Sequence, residues 1–223
     1  MPRKKFDLSQ LPPSPNLDFE RPLWDSGFAR VAGVDEAGRG ALAGPVAVGV
    51  VVLPNLPDVL ERLAGVRDSK QMTARNREHW AGIIPQVAVS WQVGFAEPGE
   101  IDEIGIVPAT GLAARRALDR LPERPNYLLL DARLKPEAFI PERSLIKGDC
   151  RSLSIAAAAI MAKVTRDRLM VEMDESYPEY LFRANMGYGT AAHRGAIESH
   201  GPCPIHRFSF APIRQDDPAE EAV

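Results

Sequence analysis

Two valine-rich runs lie close together in the first quarter of the chain, and two adjacent carboxylates end the first of them. The first run covers residues 31–36, ending on Asp35 and Glu36, and the second covers residues 45–53. Runs of this composition and length predict β-strands that pair as neighbours. Successive strand residues point to opposite faces, so the two acids can share a site only where the strand ends or bends. The Gly-Arg-Gly turn directly after them predicts such an end.

The turn residues Gly38, Arg39 and Gly40 add to the chemistry of the two acids. Carboxylates are preferred ligands of hard divalent cations such as Mg²⁺. Glycines let a backbone approach a substrate closely, and an arginine between them suits a phosphate group. The combination predicts phosphodiester chemistry. The alternative interpretation is a solvated turn in which the glycines only shape the backbone.

The rest of the chain alternates between β-rich and helical patterns, with helices dominating towards its end. We predict a layered α/β domain with a helical C-terminal part. The further predicted strands cover residues 87–95, 127–131 and 144–147, and the predicted helices cover residues 74–84, 100–105, 109–120, 152–174 and 190–200.

Composition limits the class of protein. The chain has 223 residues, of which 45% are hydrophobic and 26% charged, which is typical of one globular domain. No apolar run approaches the ~20 residues of a membrane span, and the N-terminus lacks a secretory signal pattern. Cys150 and Cys203 are the only cysteines, so no disulfide framework is indicated. We expect a cytoplasmic protein without a membrane partner.

Charge and proline content suggest three segments. Residues 1–22 form a predicted irregular N-terminal arm that leads to Leu23 and Trp24, which could dock on the body. Residues 23–211 form the predicted catalytic domain. Residues 212–223 form a predicted disordered tail, and its last eight residues, 216–223, carry four acids and no base. Because the net charge is −3, the chain without its tail is close to neutral.

Two further acids stand at positions where they can join the first pair. Asp131 ends a predicted central strand, and Asp149 immediately precedes the longest predicted helix. Acids at the ends of neighbouring strands can converge, and four converging carboxylates need cations to offset their repulsion. Two Mg²⁺ ions would do so and would also promote in-line displacement at phosphorus. The alternative is that Asp131 and Asp149 are turn or helix-cap residues.

The order and spacing of these motifs resemble those of bacterial type 2 ribonuclease H (ribonuclease HII). The resemblance covers residues 21–211 and leaves residues 1–20 and 212–223 outside. The matching blocks are Gly33 to Gly40, Leu42 to Val46, Asp68-Ser69-Lys70, Asp131, Ile146 to Asp149, Ala162 to Asp167, Gly187 to Thr190 with His193, and His206-Arg207 with Phe210.

The resemblance implies a ribonuclease H-like fold, a mixed five-stranded sheet flanked by helices. It implies a metal-dependent endonuclease that uses two divalent cations, Mg²⁺ or Mn²⁺. The implied substrates are the RNA strand of RNA–DNA hybrids and ribonucleotides embedded in duplex DNA. Cleavage on the 5′ side of the ribonucleotide would leave a 3′-OH and a 5′-phosphate, for ribonucleotide removal and RNA primer removal. We expect a monomer.

The resemblance also implies roles for individual residues. It assigns metal binding and catalysis to four acids, namely Asp35, Glu36, Asp131 and Asp149. Gly38, Arg39 and Gly40 match a turn that reads the ribose 2′-OH, the group that distinguishes RNA from DNA. Tyr188 matches a tyrosine that packs on the next sugar, although a buried aromatic is the simpler interpretation of this residue alone.

The remaining polar residues have more ordinary predictions. We expect Asp167 to form a salt bridge, and His193 and His206 to be structural hydrogen-bonding residues. Hard Mg²⁺ prefers oxygen to nitrogen ligands. Three basic residues are predicted to contact substrate phosphates, with a solvated charge as the alternative for the last: Lys70, Lys163 and Arg166.

Four positions depart from the pattern of the resemblance without removing a predicted ligand: Ala41, Gly105, Ala132 and Ala159. Two other functions remain open from the sequence. One is another ribonuclease H-like nuclease, such as a type 3 ribonuclease H or a resolvase. The other is a non-catalytic hybrid-binding module, against which the complete set of acids argues.

Overall fold

One mixed five-stranded sheet forms the centre of the computed structural model, which describes residues 6–7, 9, 11–132, 134–136 and 138–213. The strand order is β3-β2-β1-β4-β5; the first three strands are antiparallel, and β4 and β5 run parallel to β1. The predicted fold class is therefore confirmed. The strands are β1 (Val31–Ala37), β2 (Val46–Val52), β3 (Ser90–Ala96), β4 (Tyr127–Asp131) and β5 (Glu142–Leu145).

Helices cover both faces of the sheet. The long helix α6 packs on one face together with α1 and α3, and α5 packs on the other with α4. A separate apolar cluster joins the C-terminal helices to the end of α6. The helices are α1 (Glu20–Asp25), α2 (Val59–Arg62), α3 (Ala74–Val87), α4 (Pro98–Ile104), α5 (Ile106–Asp119), α6 (Leu153–Ser176), α7 (Phe182–Asn185) and α8 (Ala191–His200).

Two glycines let α6 lie very close to the sheet. A Cβ atom at Gly33 of β1 would lie 2.1 Å from the carbonyl carbon of Ser154, and one at Gly49 of β2 would lie 2.3 Å from the carbonyl oxygen of Ala158. Since neither contact is sterically possible, glycine is required at both positions. The N-terminal end of α6 is thereby placed against β1, a few residues from Asp35.

Some element boundaries differ from the sequence predictions. Strand β1 pairs with β2 as far as Ala37, so it does not end at Glu36. Helix α3 continues past Pro85 to Val87, because Val87 is buried against the sheet. Strand β5 ends at Leu145 rather than residue 147, since Lys147 has a φ of 57° and extended backbone cannot continue through it.

The N-terminal arm is not irregular throughout. Helix α1 begins at Glu20, so the prediction of an irregular arm is wrong for its last three residues. Trp24 is buried in the core on the α6 side, which shows how this segment docks on the body. The predicted disordered tail, residues 212–223, begins too early, because Ile213 is buried and its N–H donates to the carbonyl oxygen of Phe210 at 2.8 Å. The remaining residues of that tail, 214–223, lie outside the described residues. Within the described part of the chain, no helix is long and apolar enough to cross a membrane.

Candidate metal and nucleic-acid site

Strand register places two of the predicted acids side by side. In the parallel pair β1–β4, Val34 lies opposite Leu130, so Asp35 and Asp131 are the next residues on neighbouring strands. Alternation along each strand turns both side chains towards the face covered by α6, where Gly33 and Leu129 also lie. Val34 is the last residue of β1 that pairs with β4, so Asp35 and Glu36 both lie beyond the paired part of these two strands.

A 3₁₀ turn before α6 adds Asp149 to this group. The turn covers Gly148–Cys150, and the Gly148 N–H donates a hydrogen bond of 2.7 Å to Oδ1 of Asp131. The Lys70 ammonium group lies 3.5 Å from Oδ2 of Asp149. Because the turn is tied to the end of β4, Asp149 is held beside Asp131 although it comes from a different element.

The structure brings together all the residues predicted for the site except Arg166. Glu36, Arg39, Lys70 and Asp131 border two adjoining hollows of one cleft, and Asp149 lines the second hollow. The first hollow is also lined by Asp35, Ala37, Gly38, Gly40, Ser69, Arg77, Lys163 and Tyr188.

Burial and mutual repulsion make this group of acids a poor place for negative charge without a cation. Burial, followed by the charges of Glu36, Asp131 and Asp149, raises the pKa of Asp35 well above its ordinary value. Burial also raises the pKa of Glu36 against the opposing effect of the Arg39 guanidinium, and raises the pKa of Asp131. Oε2 of Glu36 is buried without a hydrogen-bond partner in the described residues. The donor set and this free oxygen fit a hard divalent cation.

A second group of possible metal ligands overlaps the first and consists of Asp68, Asp149 and Cys150. Burial, followed by the charges of Asp149 and Asp68, raises the pKa of the Cys150 thiol to about 12. A protonated thiol is a weak ligand for a hard cation, and the sulfur lies 3.8 Å from Oδ2 of Asp68. Asp149 is therefore better grouped with Asp35, Glu36 and Asp131.

The Gly-Arg-Gly turn is held from behind by a buried arginine. The Arg207 guanidinium donates hydrogen bonds to the carbonyl oxygens of Gly38 and Arg39 at 2.7 and 3.0 Å. Because N–H and C=O point in opposite directions across a trans peptide, the N–H groups of Arg39 and Gly40 point away from Arg207. Space is open next to Gly40, where an added Cβ would meet nothing within 4 Å.

Arg207 supports the candidate Gly-Arg-Gly turn, and the sequence analysis assigned it no role. It stands in one of the matching blocks, but a buried arginine bound to carbonyls 169 positions away has no local sequence signal. The structure also corrects the prediction that Arg166 contacts substrate phosphates. Arg166 is fully buried and donates to the carbonyl oxygens of Ala43, Pro45 and Met186. It also requires glycine at position 38, where an added Cβ would lie 1.9 Å from its Nε.

Tyr188 lines the same hollow as the Gly-Arg-Gly turn. Its side chain is half-buried and contacts two basic residues. Its ring centroid is 5.4 Å from Nζ of Lys163 and 5.6 Å from Cζ of Arg166. Lys163 forms a 2.8 Å ion pair with Asp167, so the predicted salt bridge of Asp167 is confirmed.

The two histidines beside Tyr188 support its loop. Nδ1 of His193 lies 3.0 Å from the carbonyl oxygen of Tyr188, and Nε2 of His193 lies 3.0 Å from Nε2 of His206. His206 accepts a hydrogen bond from the Cys203 N–H. The prediction that both histidines are structural is confirmed.

Five strands in this mixed order, with acids at the ends of adjacent parallel strands and α6 packed behind them, define a ribonuclease H-like nuclease. The ribonuclease HII family model matches residues 32–213. The chain belongs to the ribonuclease HII family, and it is therefore a ribonuclease H endonuclease. The predicted type 2 class is confirmed.

Individual relatives agree with the family match. The ribonuclease HII of Synechococcus sp. is 51% identical over 200 residues, which cover 90% of each chain. The ribonuclease HII of Desulfitobacterium hafniense is 49% identical over 89% of this chain and 75% of its own length. The crystal structure of ribonuclease H2 from Pyrococcus horikoshii OT3 has a TM-score of 0.70 at 29% identity, covering 83% of this chain and 95% of that one.

Proposed function

We propose that this protein hydrolyses the RNA strand of RNA–DNA hybrids and also cuts on the 5′ side of single ribonucleotides embedded in duplex DNA. The observation that carries the proposal is the convergence of four carboxylates beside a Gly-Arg-Gly turn in one cleft. The acids supply the means to cut a phosphodiester, and the turn supplies the means to select the sugar. The products would be a 3′-OH and a 5′-phosphate.

The metal-binding part of the proposal assigns two divalent cations, Mg²⁺ or Mn²⁺, to Asp35, Glu36, Asp131 and Asp149. When bound, such ions polarise the phosphate and stabilise the attacking and leaving oxygens of an in-line displacement. The protein's own contribution is to hold the carboxylates ready at fixed positions. Asp35 and Asp131 are fixed by strand register, and Asp149 by the turn bonded to Asp131.

Sugar selection is assigned to the main chain of the turn. The N–H groups of Arg39 and Gly40 are turned away from Arg207, and open space at Gly40 would let a ribose approach them. A 2′-OH can accept a hydrogen bond there, and a deoxyribose cannot. Tyr188, on the same cleft, would pack on the following sugar and disfavour a second hydroxyl there. The pair would thus recognise an RNA-to-DNA junction.

Two lysines would contact the phosphates on either side of the reacting position. Lys70 is exposed, with 78% of its side chain accessible, while its ammonium group lies near Asp149. Lys163 is mostly buried and already paired with Asp167, so it would contact a phosphate as part of that ion pair. Such contacts position the duplex without reading its sequence.

We further propose that the catalytic unit covers the predicted segment 23–211 together with residues 16–22, which pack on it, and that it acts as a cytoplasmic monomer in ribonucleotide removal and RNA primer removal. The core clusters extend through most of this segment without a break between two separate bodies. Size-exclusion chromatography with light scattering would test the monomer.

The deciding experiment uses two end-labelled 20-base-pair substrates, an RNA–DNA hybrid and a DNA duplex with one ribonucleotide. Cleavage of both in 5 mM Mg²⁺, and of neither in EDTA, is the expected result. The position of the cut and the chemistry of the new ends are read on a sequencing gel. An all-DNA duplex is the control. Tight binding of the hybrid without cleavage in Mg²⁺ or Mn²⁺ would contradict the enzymatic proposal and favour a hybrid-binding module.

A further inference from the structure

A buried carboxylate outside the cleft contacts the chain just after Asp149. Glu20, the first residue of α1, is completely buried. Its Oε1 accepts hydrogen bonds from the hydroxyl groups of Ser152 and Ser154, both at 2.6 Å, and from the Ser154 N–H at 3.0 Å. Its Oε2 has no partner in the described residues. Burying a carboxylate costs free energy, and more so when one of its oxygens has no hydrogen-bond partner. The burial of Glu20 is therefore better explained by a functional role than by a contribution to stability.

The main chain around Glu20 holds the same stretch. The N–H of Asn16 donates to the carbonyl of Arg151 at 3.1 Å, and the N–H of Leu153 donates to the carbonyl of Asn16 at 2.9 Å. The Phe19 ring lies 4.8 Å from the Arg151 guanidinium carbon. Residues 16–20 therefore bind residues 151–154 through both backbone and side chains.

The stretch held in this way is continuous with the turn that carries Asp149. The N–H groups of Arg151 and Ser152 both donate to the carbonyl of Gly148, at 3.0 and 2.8 Å. Just before that turn, Lys147 has a φ of 57°, a conformation that costs energy for a residue with a side chain. A turn with such a strained residue keeps its conformation only when neighbouring groups fix it. Residues 16–20 supply such contacts, because they bind the residues that directly follow the turn.

We propose that Glu20 is a positioning residue for the candidate metal site. By fixing Ser152 and Ser154, it sets the placement of the Gly148–Cys150 turn and thereby the distance of Asp149 from Asp131. This inference rests on the proposed function, because it assigns Asp149 to the ligands. Glu20 itself touches neither substrate nor metal.

The experiment compares Glu20→Ala, Glu20→Gln and Ser154→Ala with the unaltered full-length protein. The matched control is Asp25→Asn, an acid-to-amide change at an exposed position of the same helix. Mn²⁺ and Mg²⁺ affinities are measured by calorimetry at 20 °C, below the melting temperature of each variant. kcat and KM are measured on the hybrid substrate.

We expect Glu20→Ala to weaken metal binding and lower kcat by about tenfold each, within the range seen when a residue behind a metal ligand is removed. KM should change less than twofold. Glu20→Gln should recover part of the loss, because its amide oxygen can still accept from the serines. Ser154→Ala should shift both values in the same direction by a smaller factor, and Asp25→Asn should change neither.

Two results would separate this proposal from a purely structural role. If Glu20→Ala melts lower yet keeps metal affinity and kcat within twofold of the unaltered protein, Glu20 serves stability alone and the proposal is wrong. If Glu20→Ala does not fold, Glu20→Gln and Ser154→Ala decide by the same criterion. If the unaltered protein binds metal but cuts no hybrid, the proposed function fails, while the metal titrations still test Glu20.

Discussion

Asp35→Asn should stabilise the metal-free protein while it abolishes activity. Adjacent parallel strands lie about 4.8 Å apart, and Asp35 and Asp131 directly follow the last paired residues of β1 and β4, so we expect their carboxylates to be roughly 5 Å apart. At an effective dielectric constant of about 20, two unit charges at that distance repel by roughly 3 kcal/mol. The raised pKa values of Asp35 and Asp131 show that the folded protein disfavours the doubly charged pair, so we expect the relief to be smaller than the full repulsion.

We expect a gain of about 1–2 kcal/mol in the free energy of unfolding, or about 2–8 °C in melting temperature for a domain of this size. The gain should also depend on pH. An acid whose pKa is raised by folding binds its proton more tightly in the folded state, so stability falls as pH rises above the unfolded value of about 4. Asparagine does not titrate, so the metal-free variant should lose less stability between pH 5 and 8 than the unaltered protein.

Thermal melts in EDTA at pH 5, 6.5 and 8 test this, with Asp25→Asn as the matched acid-to-amide control. In 5 mM Mg²⁺ the order should reverse, because a bound ion stabilises the unaltered protein by ~2.7 kcal/mol at a hundred times its dissociation constant. Turnover of the hybrid by Asp35→Asn should fall by orders of magnitude. A variant that melts lower than the unaltered protein in EDTA at pH 8, or that cuts at a near-normal rate, would refute the reasoning.

Three further results are expected. Tyr188→Ala should reduce kcat/KM on the duplex with one ribonucleotide more than on the long hybrid, and equal losses would mean that Tyr188 serves packing or general binding. Burial, and then the neighbouring His193, lower the pKa of His206 to about 4. The unfolded chain therefore binds a proton at His206 before the folded protein does, and the free energy of unfolding should fall as pH falls from 6.5 towards 4. Melts of His206→Asn should show a smaller loss over that range, and an unchanged pH profile would contradict this linkage. Deleting residues 216–223 should leave melting unchanged and tighten hybrid binding modestly at low salt, an effect that should fade near ~0.3 M salt, where the screening length is roughly 6 Å; a large drop in melting temperature would show that the tail docks on the body.

Local pattern was sufficient to predict most of the architecture. Valine-rich runs favour strands and an alanine-rich run favours a helix, and β4 matches its predicted range of residues 127–131. Asp35, Glu36 and Asp131 stand at or near the ends of apolar runs and Asp149 stands directly before the longest helix, so all four could be singled out without a structure. The family resemblance, rather than their spacing, selected them as one candidate metal-binding set. The boundaries of the elements were less predictable, because they depend on tertiary contacts. Helix α3, for example, continues past Pro85 because Val87 is buried in the core.

Tertiary structure alone decided which charged residues face the cleft and which lie behind it. Arg166, predicted to contact phosphate, is buried among carbonyls, and Arg207 and Glu20 had no predicted role. Their partners are far along the chain: 169 positions separate Arg207 from Gly38, and 134 separate Glu20 from Ser154. A buried charge is recognised by the groups that surround it, and those groups become neighbours only when the sheet and α6 pack together. The sequence by itself determined most of the elements and the chemistry of the candidate ligands, whereas long-range packing determined how those side chains are held.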